Sequence, residues 1–261
     1  MNEVSLRIQA LSPSQTLAMS QKSAELRSQG IDVINMSVGE PDFNTPEHIK
    51  EAAKKAIDDN FTFYTPVGGY LSLRKAICDK MKNENGRDFT PDQIVVSNGA
   101  KQSLCNCILS VINPGDEVII PTPAWVSYVE MVKLAEGVNV LVPASVEQDF
   151  KITPAQLEAA ITPKTKMVLL CSPSNPTGSV YTREELKALA DVLAKYPEII
   201  ILSDEIYEHI NYTGEFCSIA EFPEVADRVV TVNGVSKAYA MTGWRIGFLA
   251  APIWIAKATQ K

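Results

Sequence analysis

The chain has 261 residues, 46% hydrophobic and 21% charged, with a net charge of −7 and a pI near 5.0. That length and balance suit one large globular core or one and a half domains, and the acidity leaves no general electrostatic footprint for nucleic acid. Five cysteines without a C-x-x-C pair argue against a disulfide framework and a zinc site, and no apolar run reaches transmembrane length, so neither a metal nor a membrane partner is expected.

Residues 1–7 lack the charged-then-apolar layout of a signal peptide, which makes the cytoplasm the expected compartment. Residues 14–29 read as a helix stopped by Gly30, and residues 32–36 as a strand. Thr45-Pro46 has the form of a helix cap followed by proline at the first helical position. Beyond it, short apolar runs at 94–97, 117–121, 138–142, 167–171, 199–203, 229–233 and 245–250 alternate with helical segments. Two of those helices open on capping boxes, Thr153 with Gln156 and Thr182 with Glu185. This alternation predicts an α/β fold, a mostly parallel sheet of seven strands with helices on both faces. Residues 256–261 read as the first part of a long helix leaving that domain, with Trp254 a packing residue. Cys105 and Cys107 fit small buried hydrophobes, and His48 and His209, without metal-like partners, read as structural.

In an open α/β sheet, ligands bind outside the carboxyl ends of the strands, and the chemistry-bearing residues fall there. Gly99-Ala100-Lys101 follows one strand and opens a helix, so its N–H groups and the helix dipole can face an anion; an ordinary βα turn has the same form. Asp204 ends an apolar run, where a desolvated carboxylate needs a cation or caps the following turn. Asn175-Pro176 can be a plain turn, and Trp125 a core residue. The segment 236–247 is more specific. Lys237 can form a Schiff base with an aldehyde, while Ser236 and Arg245 suit a phosphate, which together describe pyridoxal phosphate. Asp204 is then the acidic partner for a pyridinium nitrogen.

Seven motifs in order carry a family resemblance: Gly39-Glu40-Pro41-Asp42-Phe43, Tyr64-Thr65-Pro66, Gly99-Ala100-Lys101-Gln102, Pro123-Ala124-Trp125-Val126-Ser127-Tyr128, Ser174-Asn175-Pro176-Thr177-Gly178, Ser203-Asp204-Glu205-Ile206-Tyr207, and the lysine segment. Through them the chain resembles the fold-type I pyridoxal-phosphate enzymes of the aspartate aminotransferase superfamily (class I/II aminotransferases). The resemblance implies transamination between an amino acid, aspartate or another dicarboxylate, and a 2-oxo acid, with prephenate-type acceptors in the same subgroup.

It also implies roles. Lys237, Asp204 and Tyr207 are the catalytic set. The cofactor is held by Gly99, Ala100, Lys101, Trp125, Asn175, Asp204, Tyr207, Ser236, Lys237 and Arg245, with Tyr64 reaching the phosphate of a partner subunit in a homodimer. Substrate contacts fall to Gly39, Lys101, Trp125 and Asn175, Lys101 facing a side-chain carboxylate. Residues 1–45 would contribute to a small domain and 46–261 form the cofactor-binding large domain. Two alternatives stand beside transamination: a β-elimination lyase of the same fold, which shares the cofactor residues, and a non-catalytic cofactor-binding remnant, because the family's arginine clamp for the substrate α-carboxylate lies past residue 261.

Overall fold

A computed structural model describes residues 4–261. Its helices are α1 (Leu6–Gln9), α2 (Gln15–Ser28), α3 (Glu47–Asp58), α4 (Leu71–Asn85), α5 (Ala100–Val111), α6 (Ser127–Leu134), α7 (Pro154–Ala160), α8 (Arg183–Leu193) and α9 (Ile253–Thr259). The strands are β1 (Ile94–Ser97), β2 (Glu117–Thr122), β3 (Val138–Pro143), β4 (Thr165–Cys171), β5 (Ile200–Asp204), β6 (Val229–Gly234) and β7 (Gly247–Ala250). They form one seven-stranded sheet in the order β1-β7-β6-β5-β4-β2-β3. Only β7 runs against its neighbours, pairing antiparallel with both β1 and β6.

Alternation along the central strands feeds two of three hydrophobic clusters, the third lying where Ile94 of β1 and Phe248 of β7 meet Ile77 and Met81 of α4. Val118, Ile120, Met167, Leu169, Ile200 and Leu202 belong to one cluster with Leu104 and Ile108 of α5 and Val132 of α6. The intervening Ile119, Val168, Leu170 and Ile201 point the other way, against Leu186, Leu189 and Leu193 of α8. With both faces covered, the central strands need no polar side, which is why they read as continuous apolar runs. Each fully buried Leu or Ile contributes about 1.5–3 kcal/mol. The same period-two alternation aims the strand ends: Asp204 and Cys171 share the parity of Leu202 and Leu169 and face α6, whereas Ser203 faces away from it.

Both capping boxes form: Thr182 Oγ1 accepts from Glu185 N at 3.2 Å, and Glu185 Oε2 accepts from Thr182 N at 2.7 Å, with the same reciprocal pair at Thr153 and Gln156. Four expectations give way. Residues 32–36 form no strand; Ile34 and Met36 are 86% and 90% exposed, with no neighbouring strand to pair against. Thr45 does not cap α3: its hydroxyl donates to the Ala240 carbonyl at 2.6 Å and accepts from Trp244 Nε1 at 3.1 Å rather than from a helix N–H. Arg245 lies outside β7 in a left-handed conformation, φ 61° and ψ 55°. Trp254 is 55% exposed rather than packed. Residues 5–46, including α1 and α2, lie outside all three clusters, without a buried residue.

Candidate active site at the carboxyl edge of the sheet

A cavity of about 390 Å³ opens where β5 and β6 end, beside the loop between β6 and β7. It is lined by Gly39, Ala100, Lys101 and Trp125, by Asn175, Asp204 and Tyr207, and by Ser236, Lys237 and Arg245. The predicted residues thus converge, with two exceptions. Gly99 stands behind Arg245 rather than on the wall. Tyr64 is fully exposed and away from the cavity, so within this chain it touches nothing there.

One end of the cavity is built for an anion. Gly99 immediately precedes α5 at φ 88°, and the N–H groups of Ala100 and Lys101 have no intrahelical partner, whereas that of Gln102 donates to the Gly99 carbonyl at 3.0 Å. Arg245 presents its guanidinium beside them, held by Nη1 donating to the Thr242 carbonyl at 2.8 Å and Nη2 to the Asn98 carbonyl at 3.2 Å. Ser236, buried, adds a hydroxyl to the same cavity.

The same cavity holds a buried acid. Asp204 is buried, and burial pushes its carboxyl from the ordinary 3.8 up to about 6, against the opposing effect of hydrogen bonds. Those come from the Tyr128 hydroxyl to Oδ2 at 2.6 Å and from the Ile206 N–H to Oδ1 at 3.3 Å. The next residue diverges: Glu205 Oε1 accepts from Ser203 at 2.8 Å and Ser218 at 2.5 Å, and burial raises its pKa to about 7.

Asn175 Nδ2 donates to the Tyr207 hydroxyl at 3.4 Å, and burial lifts the Tyr207 phenol to about 12. Lys237 Nζ donates to the Gly39 carbonyl and lies 5.8 Å from the Tyr207 ring centre. Partial burial lowers its pKa; Glu40 opposes that and Arg245 adds to it. Trp125 is half-buried with Lys101 Nζ 5.2 Å from its ring centre. A larger apolar cavity of about 830 Å³ adjoins on the far side of Lys101 and Trp125, toward residues 11–15.

Sequence reasoning passed over three contributors. Tyr128, inside the Trp125 motif, is the direct partner of Asp204. Glu40 accepts from Thr242 Oγ1 at 3.0 Å, and Thr45 accepts from Trp244 Nε1 at 3.1 Å, so residues 39–45 are stitched to the lysine loop. The motif beginning at Gly39 was the available signal. His209 also has partners: Nε2 is 3.0 Å from Glu84 and Nδ1 3.2 Å from Glu208, but the Lys80 ammonium bonds both carboxylates and already supplies their cation.

A sheet with this single reversed strand, carrying a lysine, an anion rim and a buried acid on one cavity, is the arrangement of a fold-type I enzyme. The family model described as aminotransferase class I and II matches residues 31–261, and the chain belongs to that family. It is 53% identical over 260 residues to an aspartate/prephenate aminotransferase of Nitrosomonas europaea, covering 99% of this chain and 66% of that protein. An aspartate aminotransferase of Geobacillus stearothermophilus is 51% identical over 254 residues, covering 97% and 64%. Among solved structures, the aspartate aminotransferase from Thermus thermophilus with maleate superposes with a TM-score of 0.96 at 45% identity, covering 100% of this chain and 67% of that one. The chain spans about half to two thirds of the length of the curated relatives it matches.

Proposed function

We propose that this chain binds pyridoxal 5′-phosphate at Lys237 and serves transamination between an amino acid, aspartate or another dicarboxylate, and a 2-oxo acid. The observation that carries the proposal is the meeting of a lysine of lowered pKa, an anion-competent rim and a buried carboxylate on one cavity. The residues fit the cofactor end by end. Arg245, Ser236 and the N–H groups of Ala100 and Lys101 suit its phosphate. Asp204, a buried carboxylate lacking a cationic partner within hydrogen-bonding distance among the described residues, suits a protonated ring nitrogen. Trp125 offers a flat apolar face for the ring. Bound there, pyridoxal phosphate supplies an aldehyde that condenses with amines and a ring that stabilises negative charge on the adjacent carbon.

The chain's own groups then have defined tasks. Asp204 keeps a proton on the ring nitrogen, because an ionised carboxylate in a desolvated site favours the positive partner. Tyr207, with its phenol raised to about 12, stays protonated at neutral pH and, with Asn175, donates to the ring oxygen. The lowered pKa of Lys237 enlarges its neutral fraction, and the neutral amine is both nucleophile and base: displaced by the substrate amine, it would take the substrate α-proton and deliver it to the carbon that had carried the aldehyde oxygen. Gly39, within reach of Lys237, offers backbone contact to the substrate. Lys101 presents an ammonium over Trp125 for a second carboxylate, the basis for preferring dicarboxylates.

The assembly completes the proposal. Phe61, Phe63, Tyr64 and Val67 lie exposed along one stretch of sequence, a run of large apolar side chains of the kind that marks an interaction surface. A second copy is the occupant this reading assigns, with Tyr64 reaching the partner's phosphate site, residues 1–45 contributing to a small domain, and 46–261 forming the large one. Incubation with pyridoxal phosphate, borohydride reduction and peptide mapping should place the adduct on Lys237. Aspartate with 2-oxoglutarate should then yield oxaloacetate. Pyruvate with ammonia would instead mark elimination, and bound cofactor without turnover a binding role alone.

A further inference from the structure

Tyr128 is 1% exposed and sits in the first turn of α6, three residues after Trp125. Its hydroxyl donates to Asp204 Oδ2 at 2.6 Å, the short distance typical of a hydrogen bond to an ionised acceptor. Its ring stands edge-on to Trp125, centres 5.3 Å apart at 89°. A single buried side chain therefore touches both the acid and the aromatic that line the cavity. The turn that leads into α6, closed by the Tyr128 N–H donating to the Trp125 carbonyl at 3.1 Å, fixes the second contact, and strand parity the first, since Asp204 emerges on the α6 face of the sheet.

We propose that Tyr128 is a positioning residue: its phenol locks the orientation of the Asp204 carboxylate while its ring sets the tilt of Trp125, so acid and aromatic are held in register by one group. The proposal rests on the reading of the cavity as a pyridoxal-phosphate site. The other groups around Asp204 do not duplicate the contact. Cys171 from β4, raised to about 12 by burial, stays a neutral thiol; Tyr207, from the turn after β5, also stays neutral and is partnered by Asn175; Lys237 and Arg245 line the same cavity and bond to backbone carbonyls. Glu205 turns away to Ser203 and Ser218.

The test is a carbon-13 NMR titration of Asp204 in the chain without added cofactor, comparing the parent with Tyr128→Phe, which keeps the ring and deletes only the donor. Loss of one hydrogen bond to a charged acceptor should move the Asp204 titration upward by about one to two pH units. With pyridoxal phosphate bound, the acid limb of the cofactor's absorbance titration should move the same way. Should the phenylalanine variant fold poorly, 3-fluorotyrosine at position 128, a stronger donor, should shift Asp204 downward. An unmoved Asp204 titration in either variant, with cofactor binding intact, overturns the role of Tyr128. Failure of the parent to bind pyridoxal phosphate would overturn the reading of the site instead.

Discussion

Gly99 and Arg245 occupy one another's space: a Cβ placed on Gly99 would lie 2.2 Å from Arg245 Nη2. The glycine also holds φ 88°, a conformation that other residues adopt only with strain. Its lack of a side chain lets a guanidinium reach the start of α5, so the anion rim depends on an absence as much as on a charge.

Gly99→Ala should therefore displace Arg245 and strain the backbone together. Stability should fall by about 1–3 kcal/mol, read by equilibrium denaturation. The dissociation constant for pyridoxal phosphate should rise at least about tenfold, in line with losing one charge-assisted contact. A tightly binding alanine variant would show that Arg245 does not serve the phosphate.

Asp204 links site chemistry to pH. Its folded-state pKa is about 6 against 3.8 when unfolded, so between those values the folded chain holds more protons. Its contribution to stability is thus full below about pH 4 and is lost as pH rises through about 6. Glu205, raised from 4.5 to about 7, acts in the same direction. Without cofactor, Asp204→Asn should make the chain more stable at pH 8 by about 2–3 kcal/mol while leaving pH 4 nearly unchanged, as urea titrations would read. The same variant should bind pyridoxal phosphate more weakly and lose most turnover. A variant no more stable than the parent at pH 8 would mean that the carboxylate is well solvated.

Lys237 should capture pyridoxal phosphate at lower pH than an ordinary lysine, because burial lowers its pKa. Adduct formation followed spectroscopically across pH should show an inflection below that of a free lysine side chain. Lys237→Ala should eliminate the borohydride-trapped adduct, and an adduct surviving there would reassign the attachment point.

Tyr64 separates folding from assembly. Being fully exposed, it should tolerate Tyr64→Phe with a stability change within about 0.5 kcal/mol. Cofactor affinity should nevertheless fall several-fold at protein concentrations where the chain self-associates and stay unchanged when it is dilute. Equal affinities in both regimes would place Tyr64 outside any partner's site.

The sheet was legible because its strands are apolar on both faces and its helices announce their starts with capping boxes. The motif residues were legible as a set, since Ser236, Lys237 and Arg245 make chemical sense only together. What sequence could not reveal depends on three-dimensional approach. Thr45 reads as a cap because threonine before proline favours that geometry, yet its oxygen accepts from the Trp244 indole N–H, a donor brought close only by the fold. Residues 32–36 have strand-like composition, but a strand needs a neighbour, and none of the described residues offers one. Tyr128 hides among apolar α6 residues because its partner is 76 positions away.

The reversal of β7 has a consequence for how the reactive segment is built. Gly234 of β6 faces Gly247 of β7, so residues 235–246 are the tip of a hairpin whose two stems are buried in the sheet. A hairpin closes locally, at a small loop-entropy cost, without waiting for distant strands to assemble. Ser236 and Lys237 leave one stem as Arg245 enters the other, so these three side chains form a cassette fixed by one strand pair. Amide hydrogen exchange should find both stems slow, a rigid handle for the segment that carries the lysine.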